Sequence, residues 1–300
     1  MLDFKEITIK DKALFDDYFK LFSPQESEMN FTNLFMWRNF YRYRYIEING
    51  MLCGIADPQT IPPFAFMPVG VITKELFADT IYKLKEYFTN NGWELVFRSI
   101  TENELQYFKR FIGIKDDNIV FDRDDSDYIY LLEDLAELKG KKYDGKRNHI
   151  NKLKKNHRFE YVRMTKEHIG ECYRIMELWC SKRNCKEHMN LYCEKLANVE
   201  LLNHFDELGC KGALIKVDDK YEAFTVGEML NSNTAVIHLE KADSSIDGLY
   251  PLINQMFCRM EWANAKYINR EQDIGIEGIR KAKLSYHPVK LLKKHVVTVE

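Results

Sequence analysis

The sequence predicts a mixed α/β protein of two domains, and three observations carry that prediction. Its 300 residues exceed what one hydrophobic core usually serves. Helical spacing and strand alternation follow one another along the chain instead of segregating. A helix–strand–helix layout also occurs twice, over 83–109 and over 255–280. Trp93-Glu94-Leu95-Val96-Phe97-Arg98 in the first matches Ala265-Lys266-Tyr267-Ile268-Asn269-Arg270 in the second, which suggests an internal duplication.

The elements follow in order. Leu14, Phe15, Tyr18, Phe19 and Phe22 recur at helical spacing, as do Phe77, Ile81, Leu84 and Phe88. Between these helices, residues 42–70 read as three short strands, with turns at Asn49-Gly50 and Pro62-Pro63. Residues 93–98 read as a strand and 102–111 as a helix. Charge then changes sign. Residues 116–137 carry nine acidic side chains against Arg123 alone, and 139–158 carry nine Lys or Arg against Asp144 alone. The switch predicts a boundary near residue 136, hence domains of 1–136 and 137–300. In the second, helices at about 166–183 and 190–205 precede strands at 211–217, 221–229 and 234–240. A helix built on Leu249, Leu252, Ile253, Met256, Phe257 and Met260 follows. A strand at 266–269, a helix from Ile276 and a last strand near 289–299 complete the chain.

Composition excludes several classes. With 45% hydrophobic and 30% charged residues, and only 14 Gly and 7 Pro, the chain is neither disordered nor collagenous. No apolar run approaches the ~18–20 residues of a membrane-spanning helix. Met1-Leu2-Asp3-Phe4-Lys5-Glu6 lacks the basic and apolar stretches of a signal peptide, so a cytoplasmic location is expected. A net charge of −2 gives no global pull toward nucleic acid, so such a contact needs a local patch. The seven cysteines read as reduced thiols. Cys180, Cys185, His188 and Cys193 lack the tight C-x2-C pairs of a zinc knuckle and read as buried thiols, so no metal is expected.

Three segments carry candidate chemistry. The first runs from Thr234 to Tyr250. In a strand, Val236, His238 and Glu240 share one face. The strand gives way to a polar loop ending at Gly248, and Pro251 requires a helix to begin just before it. Strand, Gly-containing loop and helix N-terminus together make a general anion cradle, since unpaired N–H groups and the helix dipole favour a phosphate. His238 and Glu240 at its mouth could take a proton from an amine. A plainer reading has Ser244 and Asp247 capping the helix and Glu240 pairing with Lys241 or another base.

The second segment, Asn269 to Pro288, gathers Arg270, Glu271, Asp273, Glu277, Arg280, Lys281 and Lys283 at a strand end, where ligand crevices form. Lys283 and Tyr286, three apart, can point the same way on a helix. The same stretch also fits a solvated amphipathic helix with Ile276, Ile279 and Leu284 inward. The third segment is the basic helix from Lys139 to Arg158, which could hold a polyanion such as tRNA or a lipid headgroup, or could be a solvated face.

In this order the three segments carry a resemblance. KGKKYDGKRNHINKLKKNH (139–157) resembles the basic segment opening the catalytic half of Fem-type peptidoglycan aminoacyl transferases. It also resembles the C-terminal domain of bacterial phosphatidylglycerol lysyltransferases. DSSIDGLYPLINQ (243–255) is similar to the loop and helix on which this family, part of the wider GNAT acyltransferase superfamily, binds its donor. GIEGIRKAKLSY (275–286) resembles the Fem-type closing motif, with Lys283 and Tyr286 at its lysine and final aromatic positions.

The resemblance implies two tandem GNAT-like (acyl-CoA N-acyltransferase-like) domains of mixed α/β sheets, the first a degenerate copy. It implies transfer of an acyl or aminoacyl group from acyl-CoA or aminoacyl-tRNA to an amine or hydroxyl acceptor. The donor would lie on His238, Lys241, Ala242, Asp243, Ser244, Ser245, Asp247, Gly248, Leu249 and Tyr250, with Asn269 and Arg280. Glu240 would deprotonate the acceptor, and Lys283 and Tyr286 would stabilise the oxyanion or leaving group. A tRNA would be met by the helix from Lys139 to Arg158. The alternative is a catalytically inactive module of the same fold that binds coenzyme A, a nucleotide or tRNA.

Overall fold

A computed structural model describes residues 2–183 and 189–300. The chain forms two compact units. Unit 1 comprises Met1–Asp127, Gln272–Glu277 and Leu291–Glu300, and unit 2 comprises Tyr128–Glu271 and Gly278–Lys290.

The first run of elements is β1 (Lys5–Glu6), α1 (Lys12–Phe22), α2 (Phe31–Tyr41), β2 (Arg44–Ile48), β3 (Met51–Ala56), β4 (Phe64–Ala65), β5 (Val69–Gly70), α3 (Lys74–Asn90), β6 (Leu95–Thr101), α4 (Leu105–Ile112) and β7 (Ile119–Leu131). Asn49 and Gly50 both take positive φ, the conformation that a two-residue turn between β2 and β3 demands. Asn30 caps α2 by accepting the Asn33 N–H, and Thr73 caps α3 in the same way. Phe77, Ile81, Leu84 and Phe88 line the buried face of α3 over Phe97 and Ile100 of β6. Where three strands were expected over 42–70 there are four, because Pro62-Pro63 is followed by two separate two-residue strands.

The second run is α5 (Leu132–Glu137), α6 (Asp144–Asn156), β8 (Phe159–Arg163), α7 (Ile169–Ser181), α8 (Met189–Asn203), α9 (Phe205–Leu208), β9 (Lys211–Val217), β10 (Lys220–Met229), β11 (Thr234–Ala242), α10 (Leu249–Glu261), β12 (Tyr267–Asn269), α11 (Glu277–Leu284) and β13 (Lys290–Val299). Each run carries strand, helix and parallel strand: β4 pairs β6 in parallel around α3, and β11 pairs β12 in parallel around α10.

Within unit 1 the strand order is β1-β2-β3-β4-β6-β13, with β5 on β3. Within unit 2 it is β12-β11-β10-β9-β8, with the last residues of β7 on β12. The terminal strands are exchanged along the chain. β13, from the end of the second run, pairs β6 of the first through Lys294–Thr101 to Val299–Leu95. The last residues of β7, Ile129–Leu131, pair β12. β7 and β8 were not foreseen. Asp122, Arg123, Asp124 and Asp125 are poor strand formers, and β7 is held there by partners distant in sequence. Within unit 1, Asp122 pairs with Arg98, Asp125 accepts from Ser99, and Arg123 pairs with Asp273.

Cys53, Cys172, Cys193, Cys210 and Cys258 are buried free thiols. Cys180 departs from the expectation of seven reduced cysteines, being disulfide-bonded. Cys185 and His188 lie outside the described residues. Among the described residues, no group of three His, Cys, Asp or Glu could hold a metal ion, and no helix is long and apolar enough to cross a membrane.

Candidate functional site

Unit 2 contains the first and third segments and, of the second, residues 269–271 and 278–288, and α6 joins the other two. Lys146, His149, Ile150 and Leu153 recur at helical spacing along one face of α6. Ile150 and Leu153 enter the core. His149 Nδ1 lies 2.6 Å from Asp247 Oδ1, and Lys152 Nζ donates to Asp247 Oδ2 at 2.9 Å. These contacts hold the Asp247 carboxyl below the usual carboxylate range, the Lys152 bond most of all. Lys146 Nζ donates to Ser285 Oγ at 2.8 Å and sits 4.0 Å from the Tyr286 ring centroid. Tyr143, fully buried just before the helix, donates to the Tyr286 carbonyl at 2.9 Å. Lys139, Lys141, Lys154, Lys155 and Arg158 face solvent. The basic segment is therefore two-sided, with part of its charge turned toward unit 2.

The loop between β11 and α10 is tied internally. The Asp243 carboxylate accepts from Ser245 N and Oγ at 2.8 and 2.7 Å and from Lys182. Burial alone would raise the Asp243 carboxyl, and these bonds more than reverse that. Gly248 caps α10 at φ 87°, and a Cβ built there would lie 2.3 Å from the His149 carbonyl oxygen. Only glycine fits, because the α6 backbone already occupies that space. Pro251 falls in the first turn of α10, where its missing N–H costs nothing. Ala242 and Leu249 are buried, so only their backbones could face a donor. Lys241 pairs with Glu194 at 2.5 Å and lies 3.6 Å from the Trp179 ring centroid. Tyr250 accepts from Trp179 Nε1 at 3.0 Å. Asp243 and Ser244 line a small cleft with Trp179, Lys182 and Arg183.

The pairing of β11 with β12 is short. The two strands pair only from Thr234–Tyr267 to Val236–Asn269, after which β11 continues to Ala242 without β12 beside it. The C-terminal ends of adjacent parallel strands are where α/β sheets place ligands. Glu240 comes from the first end and Arg270 follows the second. Arg270 Nη2 donates to Glu240 Oε1 at 2.9 Å, and Asn254 Nδ2, from α10, donates to Oε2 at 3.1 Å. Arg270 also lies 4.8 Å from the Tyr286 ring centroid, and its carbonyl accepts from the Lys283 ammonium. Tyr130 donates to the Lys283 carbonyl at 2.8 Å. Glu240, Lys283 and Tyr286, chosen from two separate segments, thus meet on one arginine.

Electrostatics sharpen the picture. Burial lowers the Arg270 guanidinium most, but Glu240 together with Tyr130, Tyr286 and Cys258 outweighs it and raises it beyond its usual range. Burial pushes the Tyr286 phenol up, so it stays protonated and able to donate. Burial and then Arg270 pull the Lys146 ammonium down. His238 stands apart, wholly buried, with Nε2 3.0 Å from Glu228 and Nδ1 3.0 Å from Glu271. Burial pulls its imidazole down, yet the two carboxylates win and push it up to about 9. At neutral pH it is a cation donating to both, which leaves Glu240 as the basic group of the expected pair. Asn269 is buried and accepts the Glu271 N–H at 2.7 Å, while Arg280 is half-buried on α11.

Asn254 was given no role in the sequence, and Arg270 and Lys146 were named only as members of runs of charge. Asn254 did carry a signal: with Gln255 it is a polar residue beside Ile253 on a helix whose remaining inward positions, Leu249, Leu252, Ile253, Phe257 and Cys258, are apolar. Two atoms in this cluster, Arg270 Nη1 and Asn254 Oδ1, are buried without a hydrogen-bond partner among the described residues.

The sequence matches the family described as phosphatidylglycerol lysyltransferase, C-terminal, over residues 19–298. The chain belongs to that family. A crystal structure of a conserved protein of unknown function from Bacteroides thetaiotaomicron VPI-5482 is 34% identical, with all of both chains covered and a TM-score of 0.92. An uncharacterized protein of Mycoplasmoides gallisepticum is 25% identical over 203 residues, covering 67% of this chain, which spans 63% of that relative's length. FemX shares the fold at 10% identity and TM-score 0.61, with 99% of this chain and 98% of that one covered. So does a tandem GNAT protein from the clavulanic acid biosynthesis pathway, at 8% identity and TM-score 0.52 with the same coverage. This member of the phosphatidylglycerol lysyltransferase C-terminal family thus has a tandem GNAT-like, Fem-like fold.

Proposed function

We propose that this chain transfers an acyl or aminoacyl group from acyl-CoA or aminoacyl-tRNA to an amine or hydroxyl acceptor. One observation carries the reading: Arg270 gathers Glu240, Lys283 and Tyr286 just past the point where β11 and β12 stop pairing. Glu240, hydrogen-bonded to Arg270, is placed to accept the acceptor's proton. Lys283 and the protonated Tyr286 would favour the tetrahedral oxyanion, whose charge develops only in the transition state. The donor's phosphate would be met at the loop 243–248 and the start of α10, with His238 holding β11 to Glu228 and Glu271. No metal takes part in this scheme.

The experiment is a screen of amines, amino acids and lipids against several acyl-CoAs and charged tRNAs, followed by Glu240→Gln. Turnover is expected to fall at least about a hundredfold in the variant. An unchanged rate would remove Glu240 from the mechanism. The donors separate by salt dependence. A tRNA held by the exposed lysines of 139–158 should lose about 0.7–0.9 log units of affinity per log unit of salt for each phosphate contacted, and coenzyme A far less.

A second reading, a catalytically inactive module that binds coenzyme A, a nucleotide or tRNA, is favoured by a specific feature. Asp243 and Asp247 in the donor loop are already satisfied by Ser245, Lys182, His149 and Lys152. Tight donor binding with no turnover on any acceptor would select that reading.

A further inference from the structure

Three regions outside the scheme above hold unexplained chemistry: a buried ion cluster in unit 1, a groove beside α3 and α4, and the cationic side of the Glu240 cluster. The last carries an inference furthest. We infer that Lys146 and Arg270 form a subsite for one anionic group, a carboxylate or a phosphate, carried by the substrate that reacts beside Glu240. The inference rests on the reading of Glu240 as a working part of the site.

Charge is the first argument. Arg270 and Lys146 both approach the Tyr286 ring, at 4.8 and 4.0 Å from its centroid. Glu240 bonds Arg270, whereas the Lys146 ammonium is hydrogen-bonded to a neutral hydroxyl, Ser285 Oγ. Two cations thus share one carboxylate in a place where both Glu240 and Arg270 are only 13% exposed. His238 adds nothing to this surplus, since Glu228 and Glu271 already flank it.

The second argument is the unfilled valence. Arg270 Nη1 is buried without an acceptor, and Asn254 Oδ1, on the same carboxylate's other side, is buried without a donor. A buried guanidinium N–H is costly to leave unpaired, so its persistence points to a partner that arrives with the substrate. The missing group must offer an oxygen acceptor to Arg270 and a donor, such as a hydroxyl or an ammonium, to Asn254. Lys146 and Ser285 are half-exposed and mark the side on which solvent reaches the cluster. Burial and then Arg270 pull the Lys146 ammonium down, and a bound anion would oppose both.

The test is calorimetric titration of the full chain with inorganic phosphate and, separately, with acetate at low salt. One of the two is expected to bind, phosphate identifying a phosphate-bearing substrate and acetate a carboxylate. Lys146→Met, which keeps the stem, should weaken that binding at least about tenfold. Glu240→Gln should tighten it, because the competing carboxylate is gone, even though the same change is expected to abolish turnover. Failure of both anions to bind the wild type would overturn the subsite, with water then filling the two atoms. Equal binding to Lys146→Met would overturn it as well. Anion binding without turnover on any acceptor would sink the transferase reading and leave the subsite standing, and turnover without anion binding would do the reverse.

Discussion

Lys294 Nζ lies 2.7 Å from Asp127 Oδ1, with both side chains wholly removed from solvent in unit 1. The same ammonium donates to Glu28 Oε1 and Oε2 at 2.6 and 2.5 Å. Asp127 in turn accepts from Ser27 N and Oγ at 2.8 and 2.9 Å. One lysine therefore serves two buried carboxylates. Lys294→Met would remove the shared counter-charge from both at nearly constant volume and is expected to cost about 3–5 kcal/mol. Urea unfolding of unit 1 reports it, and a loss below 1 kcal/mol would show that the cluster is solvated.

The cluster also sets a pH dependence. Burial pushes the Glu28 carboxyl up, Lys294 pulls it back and Asp127 and Asp125 push again, leaving it at about 8. Burial and Glu104 raise Glu26 in the same direction. A carboxyl raised when folded binds more protons in the native state than in the unfolded one, so stability falls as pH rises from its ordinary value near 4.5 through about 8. Glu28→Gln should flatten the decline of stability between pH 5 and about 8 relative to wild type. Parallel curves for the two proteins would show that Glu28 stays ionised throughout.

Gly248 and Gly145 should respond in opposite senses to alanine. At Gly248 the new methyl group meets the His149 carbonyl at 2.3 Å and the backbone is left-handed, so a loss of at least about 1–2 kcal/mol is expected. Gly145 lies in the first turn of α6 with nothing within 4 Å of an added Cβ, so alanine should stabilise by about 0.5–1 kcal/mol. Thermal melts of the pair decide it. A neutral Gly248→Ala would mean that α6 does not hold its place against the loop.

Lys283→Met should act on turnover more than on donor affinity. The ammonium sits on the Arg270 carbonyl, and its proposed work is on charge that develops in the transition state. A fall in turnover on the order of a hundredfold with donor affinity nearly unchanged is expected. An equal loss in both would assign Lys283 to binding.

Local pattern revealed a good deal of this molecule. The α3 stripe of Phe77, Ile81, Leu84 and Phe88, the Asn49-Gly50 turn and the start of α10 before Pro251 are fixed by neighbours a few residues away, and all lie where spacing put them. β7 was hidden because its charged centre is stabilised by Arg98, Ser99 and Asp273, which no window around residue 123 includes. The Lys294 cluster was hidden for the same reason, since its members lie at 27–28, 127 and 294. At the candidate site Glu240, Lys283 and Tyr286 were named, but Arg270, which links them, was lost in a run of charges. The inward turn of Lys146 was equally invisible: net charge along a helix says nothing about which lysine faces the core.

The pairing of β13 with β6 imposes an order in time. During synthesis the β6 edge emerges 188 residues before the strand that covers it, counting residues 102–289 between Thr101 and Lys290. At typical elongation rates of about 5–20 residues per second, that edge stays open for roughly 10–40 s. An exposed strand edge is a template for pairing with other chains, so nascent chains on one message are a hazard to one another during that interval. The charged side chains of β13, Lys290, Lys293 and Lys294, also keep the late strand itself from being sticky before it docks. Slowing translation should therefore raise aggregation of this protein more than its final stability suggests.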